Sequence, residues 1–206
     1  MIYILFDKGD IIKFPEYKLK DATNFWISND CNIRKKLDLD IFYLGVGISE
    51  SIAILENLHG FCEENNLNFK SLVTVPFYNS NYENTKIEFM TNAISYVENL
   101  NFVQKSAAIL DIKLHHHNGL SFRFFEAMYY NKKMITNNAS VVNYDFYDPN
   151  NIFITDFEDF SGLNEFMKLP YQIVASEIKE KYGFSNWIKY VLNIEPHQEI
   201  HLPECR

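Results

Sequence analysis

Residues 107–136 read AAILDIKLHHHNGLSFRFFEAMYYNKKMIT, and this stretch decides the fold. It begins with a short apolar run at 107–112, which is typical of a strand buried on both faces of a sheet. A polar loop follows, and residues 121–131 then carry Phe, Met and Tyr at helical spacing. A second short run, KMIT at 133–136, predicts another strand. Two parallel strands joined by a right-handed helical crossover account for this order.

The same alternation extends outward from this unit in both directions. Strands are predicted at 41–46, 71–76, 86–90 and 151–155, and helices at 49–65, 95–106, 159–168 and 176–192, with Ser49 as the N-cap of the first helix. We therefore predict an α/β fold, a doubly wound Rossmann-like parallel sheet with helices on both faces. Residues 1–38 are predicted to form a strand and connector, 39–194 the Rossmann-like domain, and 195–206 an irregular tail.

The amino-acid composition excludes several classes of function. The 206 residues carry a net charge of -8, and only Arg34, Arg123 and Arg206 are arginines, which argues against a nucleic-acid partner. Three cysteines at unrelated spacings predict neither a disulfide framework nor a zinc site, and they favour a reducing cytosol. The longest apolar runs are far too short to span a membrane, so we predict no transmembrane segment and a cytoplasmic protein.

The loop before the 121–131 helix is the first place to look for a ligand, because open α/β sheets bind ligands beyond the carboxyl ends of their strands. The free N–H groups at the start of this helix predict an anion site. Gly119 would let the backbone approach a phosphate, and Ser121 would cap the helix or donate a hydrogen bond. Glu126, one turn into the helix, is placed either to accept hydrogen bonds from a ribose diol or to form a surface ion pair with Arg123.

The runs GLSFRFFEAMYYNKKMITNN at 119–138 and YDFYDPNNIFI at 144–154 resemble the donor-domain signature of GT-B-type bacterial glycosyltransferases of capsule, O-antigen and lipopolysaccharide biosynthesis. The lead-in SYVENLNFVQKSAAILDIK at 95–113 resembles the same family, and the resemblance extends over residues 39–156. It implies that the chain is one GT-B half, which binds a nucleotide sugar. It also implies that residues 1–38 are the remnant of an acceptor domain.

The resemblance assigns donor-binding roles residue by residue. Gly119, Leu120 and Ser121 would contact the donor phosphates, and Glu126 the ribose. Arg123 belongs to the same signature. Asn118 stands where related families carry an acidic residue that touches the sugar.

The loop after the first donor-domain strand departs from the family's usual pattern. It reads GVGISE at 45–50 and lacks the basic residue that usually faces the diphosphate, so Gly45, Gly47 and Ser49 would supply backbone donors instead. Lys132 and Lys133 are interpreted either as solvated charges at a helix end or as phosphate contacts.

The catalytic group and a metal are harder to assign. The candidates for catalysis are Asp7, Asp10 and His117, the last as an imidazole that faces the donor cleft. Successive histidines at 115–117 point in opposite directions on an extended chain, so we predict no metal and no other cofactor. Asp145 and Asp148 are predicted to form turns beside Pro149.

The sequence thus predicts a glycosyltransferase, or its donor-binding domain, that acts in bacterial surface-polysaccharide assembly at the cytoplasmic side, peripheral to the inner membrane. A second polypeptide or a second copy of the chain is expected to complete the active site. The alternative from another class is a module that binds a nucleotide sugar or docks a partner without catalysis. An epimerase is a weaker third reading, because a GxGxxG motif is absent.

Overall fold

The computed structural model describes residues 3–5, 19–28, 36–77, 85–113 and 119–202. The strands are β1 (Tyr3–Leu5), β2 (Leu19–Asp21), β3 (Leu39–Val46), β4 (Phe69–Thr74), β5 (Glu88–Met90), β6 (Ser106–Asp111), β7 (Lys133–Thr136) and β8 (Ile152–Ile154). The helices are α1 (Ser49–Glu64), α2 (Tyr96–Lys105), α3 (Phe122–Tyr130), α4 (Leu163–Lys168), α5 (Ser176–Lys181) and α6 (Phe184–Leu192), with a 3₁₀ turn at Ala139–Asn143.

Six strands form one parallel sheet in the order β5-β4-β3-β6-β7-β8. The chain enters at β3, runs outward to β5, returns to β6 and then runs outward in the other direction to β8. This is a doubly wound α/β sheet, so the predicted fold class is confirmed. A separate parallel pair joins β1 to β2.

The hydrophobic core has two halves, one on each face of the sheet. Alternate residues of a strand point to opposite faces, so Phe42 of β3 faces one half while Ile41 and Tyr43 face the other. The first half is packed with side chains of α2, α3 and α6, and the second with side chains of α1 and α4. Helices therefore cover both faces, as right-handed crossovers in opposite directions require.

Most element boundaries lie within two residues of the predicted ones, but the C-terminal helices differ. The predicted helix at 176–192 is interrupted, because Gly183 has an extended backbone (φ −75°, ψ 147°) and separates α5 from α6. The backbone there bonds to another segment instead, since Trp26 N–H donates to Tyr182 O and Phe184 N–H donates to Trp26 O. The helix predicted at 159–168 begins only at Leu163, after a turn in which Gly162 has a positive φ.

The start of α1 also differs from the prediction. Its N-cap is Ile48, not Ser49. The side chain of Ser51 replaces the expected cap, because its hydroxyl accepts a hydrogen bond from Ile48 N–H at 3.2 Å.

Residues 19–28, which we name the docking segment, pack against the C-terminal helices. The ring of Trp26 stacks on Tyr129 of α3 at 3.7 Å between centroids, and its Nε1–H donates to Lys179 O. The indole of Trp187 in α6 donates to Thr23 O at 2.8 Å. Residues 195–202 form neither helix nor strand, yet Ile200 is fully buried.

Candidate functional site

The candidate site lies where β3 and β6 are neighbours and the chain leaves them in opposite directions. Open α/β sheets form a crevice at such a switch point, beyond the carboxyl ends of the strands. Here β3 continues into α1, and β6 continues through residues 112–121 into α3. We name the region between these two connections the switch-point crevice.

Asp111, the last residue of β6, organises this edge of the sheet. Its carboxylate is 3% exposed and accepts a hydrogen bond from Ser121 Oγ at 2.6 Å. It also accepts one from Arg123 Nη1 at 3.1 Å and one from Thr136 Oγ1 at 3.5 Å. The carboxylate therefore joins β6, the start of α3 and the end of β7.

Arg123 reaches from α3 across the switch point. Its Nη1 pairs with Asp111, and its Nη2 donates to the carbonyl of Leu44 in β3. The guanidinium also lies 5.7 Å from the centre of the Tyr43 ring, and the side chain remains 29% exposed. The partner of Arg123 is thus a buried aspartate on the neighbouring strand.

Glu126 is buried and contacts α2, whereas Arg123 contacts β3 and β6. It is 2% exposed, and Asn99 Nδ2 of α2 lies 3.4 Å from each of its carboxylate oxygens. The hydroxyl of Tyr96 also hydrogen-bonds to this carboxylate and to the backbone of Ile27. Burial raises the pKa of Glu126, and the hydrogen bonds from Tyr96 and Asn99 offset part of that rise. The alternative of a surface ion pair between Arg123 and Glu126 is therefore wrong.

The loop that enters α3 is held by its carbonyl groups. Gly119 O accepts a hydrogen bond from Asn138 Nδ2 at 3.3 Å, and Leu120 O accepts one from Asn24 Nδ2 at 2.8 Å. Ser121 is the N-cap of α3, as predicted, and its hydroxyl accepts a hydrogen bond from Arg123 N–H at 3.3 Å. Leu120 itself is buried, so only its backbone is available to a ligand.

Gly45 near the end of β3 and Gly47 just after that strand each permit a close approach. A Cβ on Gly45 would overlap the ring and hydroxyl of Tyr43. A Cβ on Gly47 would lie 2.7 Å from Val75 Cγ1 and 2.9 Å from Val73 Cγ1. Packing alone therefore accounts for glycine at both positions, whether or not a phosphate approaches this loop.

The predicted site residues fall into three groups. Gly45, Gly47, Gly119, Leu120, Ser121 and Arg123 lie around the switch-point crevice, whereas Glu126 engages α2. The remaining candidates, Asp7, Asp10, His117 and Asn118, lie outside the described residues.

Sequence reasoning did not select Asp111 as a site residue. The sequence did contain a signal, because Asp111 is a charged residue at the end of an otherwise apolar buried strand. A carboxylate buried there needs hydrogen-bond or ion-pair partners.

Lys132 and Lys133 match neither of their predicted roles. The ammonium of Lys133, which is 6% exposed, donates to Phe166 O and lies 4.3 Å from the centre of that ring. Lys132 Nζ donates to Gln104 O at 2.7 Å, and burial lowers its pKa to about 8. Both side chains connect helices and strands within the fold.

The two predicted turn-forming aspartates differ in their contacts. Asp148 Oδ1 accepts a hydrogen bond from Asn150 N–H, as a turn former does. Asp145 also lies in a turn, which the hydrogen bond from Tyr147 N–H to Tyr144 O closes at 3.1 Å, but its carboxylate pairs with Lys181 and accepts a hydrogen bond from the Tyr182 hydroxyl.

Comparison with known proteins finds similarity at the level of structure only. No family model matches the chain, and neither does any curated protein. Among solved structures, the chain is similar to the C-terminal domain of a group 1 family glycosyl transferase, LpcC, from Francisella tularensis. That match has 13% identity and a TM-score of 0.43, and it covers 80% of this chain and 89% of that one.

A second similar structure is a complex of MnaA with UDP from S. aureus. The identity is 14% and the TM-score 0.40, over 79% of this chain. This chain spans about half of the MnaA chain, 49% of its length.

The described ranges contain neither a membrane-spanning helix nor a cluster of metal ligands. No helix there is both long enough and apolar enough to cross a membrane. No three histidine, cysteine, aspartate or glutamate side chains there come together as metal ligands.

Proposed function

We propose that this chain binds a nucleotide sugar at the switch-point crevice and serves as the donor-binding part of a glycosyltransferase in bacterial surface-polysaccharide assembly. The observation that carries the proposal is the position of the signature run. Its residues 119–126 form the loop and first turn of α3 at the carboxyl end of β6. A diphosphate would lie against the start of α3, where backbone N–H groups favour anions.

In this proposal Glu126 binds the donor ribose. A carboxylate buried among neutral donors is costly to keep charged, and such a group is a candidate for a functional role. Tyr96 and Asn99 now occupy its oxygens. Binding of a ribose diol would replace those two donors with the two hydroxyls of the sugar, and the Tyr96 side chain, which is 41% exposed, has room to turn away.

A module that binds the donor without transferring the sugar is the second candidate. It is favoured by the fact that Asp111 and Glu126, two carboxylates of this region, are buried and hydrogen-bonded. A general base must reach the acceptor hydroxyl, which neither of these groups does. A base would then come from another residue of this chain, or from a second polypeptide or a second copy of the chain.

The proposal is tested by calorimetry and thermal unfolding with the diphosphates of uridine, guanosine, cytidine and thymidine and with their sugar conjugates. One of these should bind and raise the melting temperature. Glu126→Gln should weaken that binding about 10- to 100-fold, because a hydrogen bond to a charged group contributes about 1.5–3 kcal/mol. Glu165→Gln removes an equal charge from an exposed side chain of α4 and should leave affinity unchanged.

Two results would reject parts of this proposal. Absence of binding across the whole panel would reject nucleotide-sugar binding. Binding that Glu126→Gln leaves intact would reject the ribose contact. Release or transfer of the sugar by the bound protein distinguishes the transferase from the binding module.

A further inference from the structure

The sheet opens between β3 and β6 just where the switch-point crevice begins. The last recorded pair between these strands is Phe42–Ile109, whereas β3 stays paired with β4 up to Val46–Thr74. The carbonyl of Leu44 and the carboxylate of Asp111 lie beyond that last pair. The guanidinium of Arg123 bonds to both of them and so bridges the opened end of the sheet.

The carboxylate that holds Arg123 is itself fixed. Asp111 is buried, and the hydroxyls of Ser121 and Thr136 donate to its two oxygens. A guanidinium has five N–H donors in a rigid planar fork. Within the described part of the chain, two of these donors bond to Asp111 and Leu44 O, and part of the Arg123 side chain reaches solvent.

We propose that Asp111 is a positioning residue, which holds the Arg123 guanidinium across the gap between β3 and β6 so that its remaining donors bind an anion of the diphosphate class. This inference rests on the proposed function and adds to it the source of the positive charge. The segment 45–50 has no basic residue, and Arg123 supplies a positive charge from α3 on the other side of the gap.

The geometry requires arginine at this position. One guanidinium can bond to Asp111, to Leu44 O and to a phosphate oxygen pair at the same time, because its fork presents donors in several directions. An ammonium is a compact point charge without that fork. Arg123→Lys should therefore keep the charge and still lose most of the binding.

Inorganic pyrophosphate is the direct probe, because it carries the anion without base, ribose or sugar. Arg123→Gln and Arg123→Lys should each weaken pyrophosphate binding at least about tenfold. Asp111→Asn retains Arg123 and should still weaken binding, by roughly threefold to tenfold. Lys168→Gln removes a positive charge from an exposed position on α4 and should have no effect.

Nitrogen NMR of the arginine side chains separates positioning from folding. The protein has three arginines, and Arg123→Lys assigns the signal of residue 123 by its disappearance. In the wild-type protein, pyrophosphate should shift that signal, and the guanidinium should rotate slowly. In Asp111→Asn the guanidinium should rotate freely although the backbone spectrum remains that of a folded protein.

Each outcome supports or overturns the inference. It is overturned if pyrophosphate leaves the Arg123 signal unmoved in the wild-type protein, or if Arg123→Gln binds pyrophosphate as well as the wild-type protein does. If nucleoside diphosphates bind equally well with and without Arg123, this inference fails while the proposed function stands. If neither pyrophosphate nor any nucleotide binds, both fail.

Discussion

Among the residues that the structure describes, three charged side chains, those of Asp111, Glu126 and Lys133, are less than a tenth exposed. Different partners offset the cost of burying each charge. Asp111 has a full opposite charge in Arg123. Lys133 has a backbone carbonyl and an aromatic ring, both from Phe166. Glu126 has hydrogen bonds from an amide and a phenol, so its carboxylate is the least compensated of the three.

This difference makes the stability of the protein depend on Glu126 in a predictable direction. Because burial raises its pKa, the folded protein retains a proton that the unfolded chain releases above about pH 4.3. The contribution of Glu126 to the free energy of unfolding therefore falls as pH rises from that value through the pKa of the folded state. Glu126→Gln should gain stability relative to wild type between pH 4 and pH 7, as measured by urea unfolding.

The matched variant Glu165→Gln should show no such trend, because Glu165 is exposed. A difference between Glu126→Gln and wild type that stays constant over this pH range would contradict the prediction. Together with weaker nucleotide binding, a gain in stability would show that the charge of Glu126 is kept for its ligand and not for the fold.

At the scale of elements, the strands and their order could be predicted because short apolar runs are a strong signal. The run at 41–46 predicts a strand buried on both faces, and Phe42 and Tyr43 do face opposite halves of the core. The cap at Ser121 was also predictable, since a serine beside a glycine loop is a common helix start.

Long-range contacts were not predictable. The break at Gly183 depends on Trp26, which lies more than 150 residues away and supplies the backbone bonds that interrupt the helix. The partnership of Asp111 with Arg123 likewise depends on how β6 and α3 meet. Helical spacing alone was equally consistent with an ion pair between Arg123 and Glu126.

Alanine substitutions at Gly47 and Gly60 should have opposite effects on the free energy of unfolding. Gly47 lies against Val73 and Val75, so Gly47→Ala should lower the free energy of unfolding by about 1–3 kcal/mol through overpacking. Gly60 lies within α1, and its missing Cβ would meet nothing within 4 Å, so Gly60→Ala should raise it by about 0.5–1 kcal/mol. Urea unfolding of both variants checks the pair, and equal effects would contradict the packing argument.

At the scale of the whole molecule, segments far apart in the chain complete one face of the core. Ala22 of the docking segment and Ile200 near the C-terminus are both fully buried in the half that α2, α3 and α6 cover. Trp26 is central to this junction, because it contacts Tyr129 on one side and Gly183 on the other.

Trp26→Ala should therefore destabilise the entire protein and not only its N-terminal part. The loss of the ring stack and of the bond to Lys179 O should lower the free energy of unfolding by about 3 kcal/mol. Phe77→Ser replaces an aromatic residue that is 82% exposed and should change stability by less than about 0.5 kcal/mol. Local fraying near residue 26, with an unchanged global transition, would contradict the prediction.

The placement of the two tryptophans has a spectroscopic consequence. Trp26 and Trp187 are the protein's only indoles, and both belong to the junction between the docking segment and the C-terminal helices. Intrinsic fluorescence will therefore report on that junction, and the junction meets the crevice, because Asn24 Nδ2 donates to Leu120 O and the Tyr96 hydroxyl bonds to the backbone of Ile27. A nucleotide whose ribose displaces Tyr96 from Glu126 should therefore change the indole emission, which makes the two tryptophans a gauge of binding at the crevice.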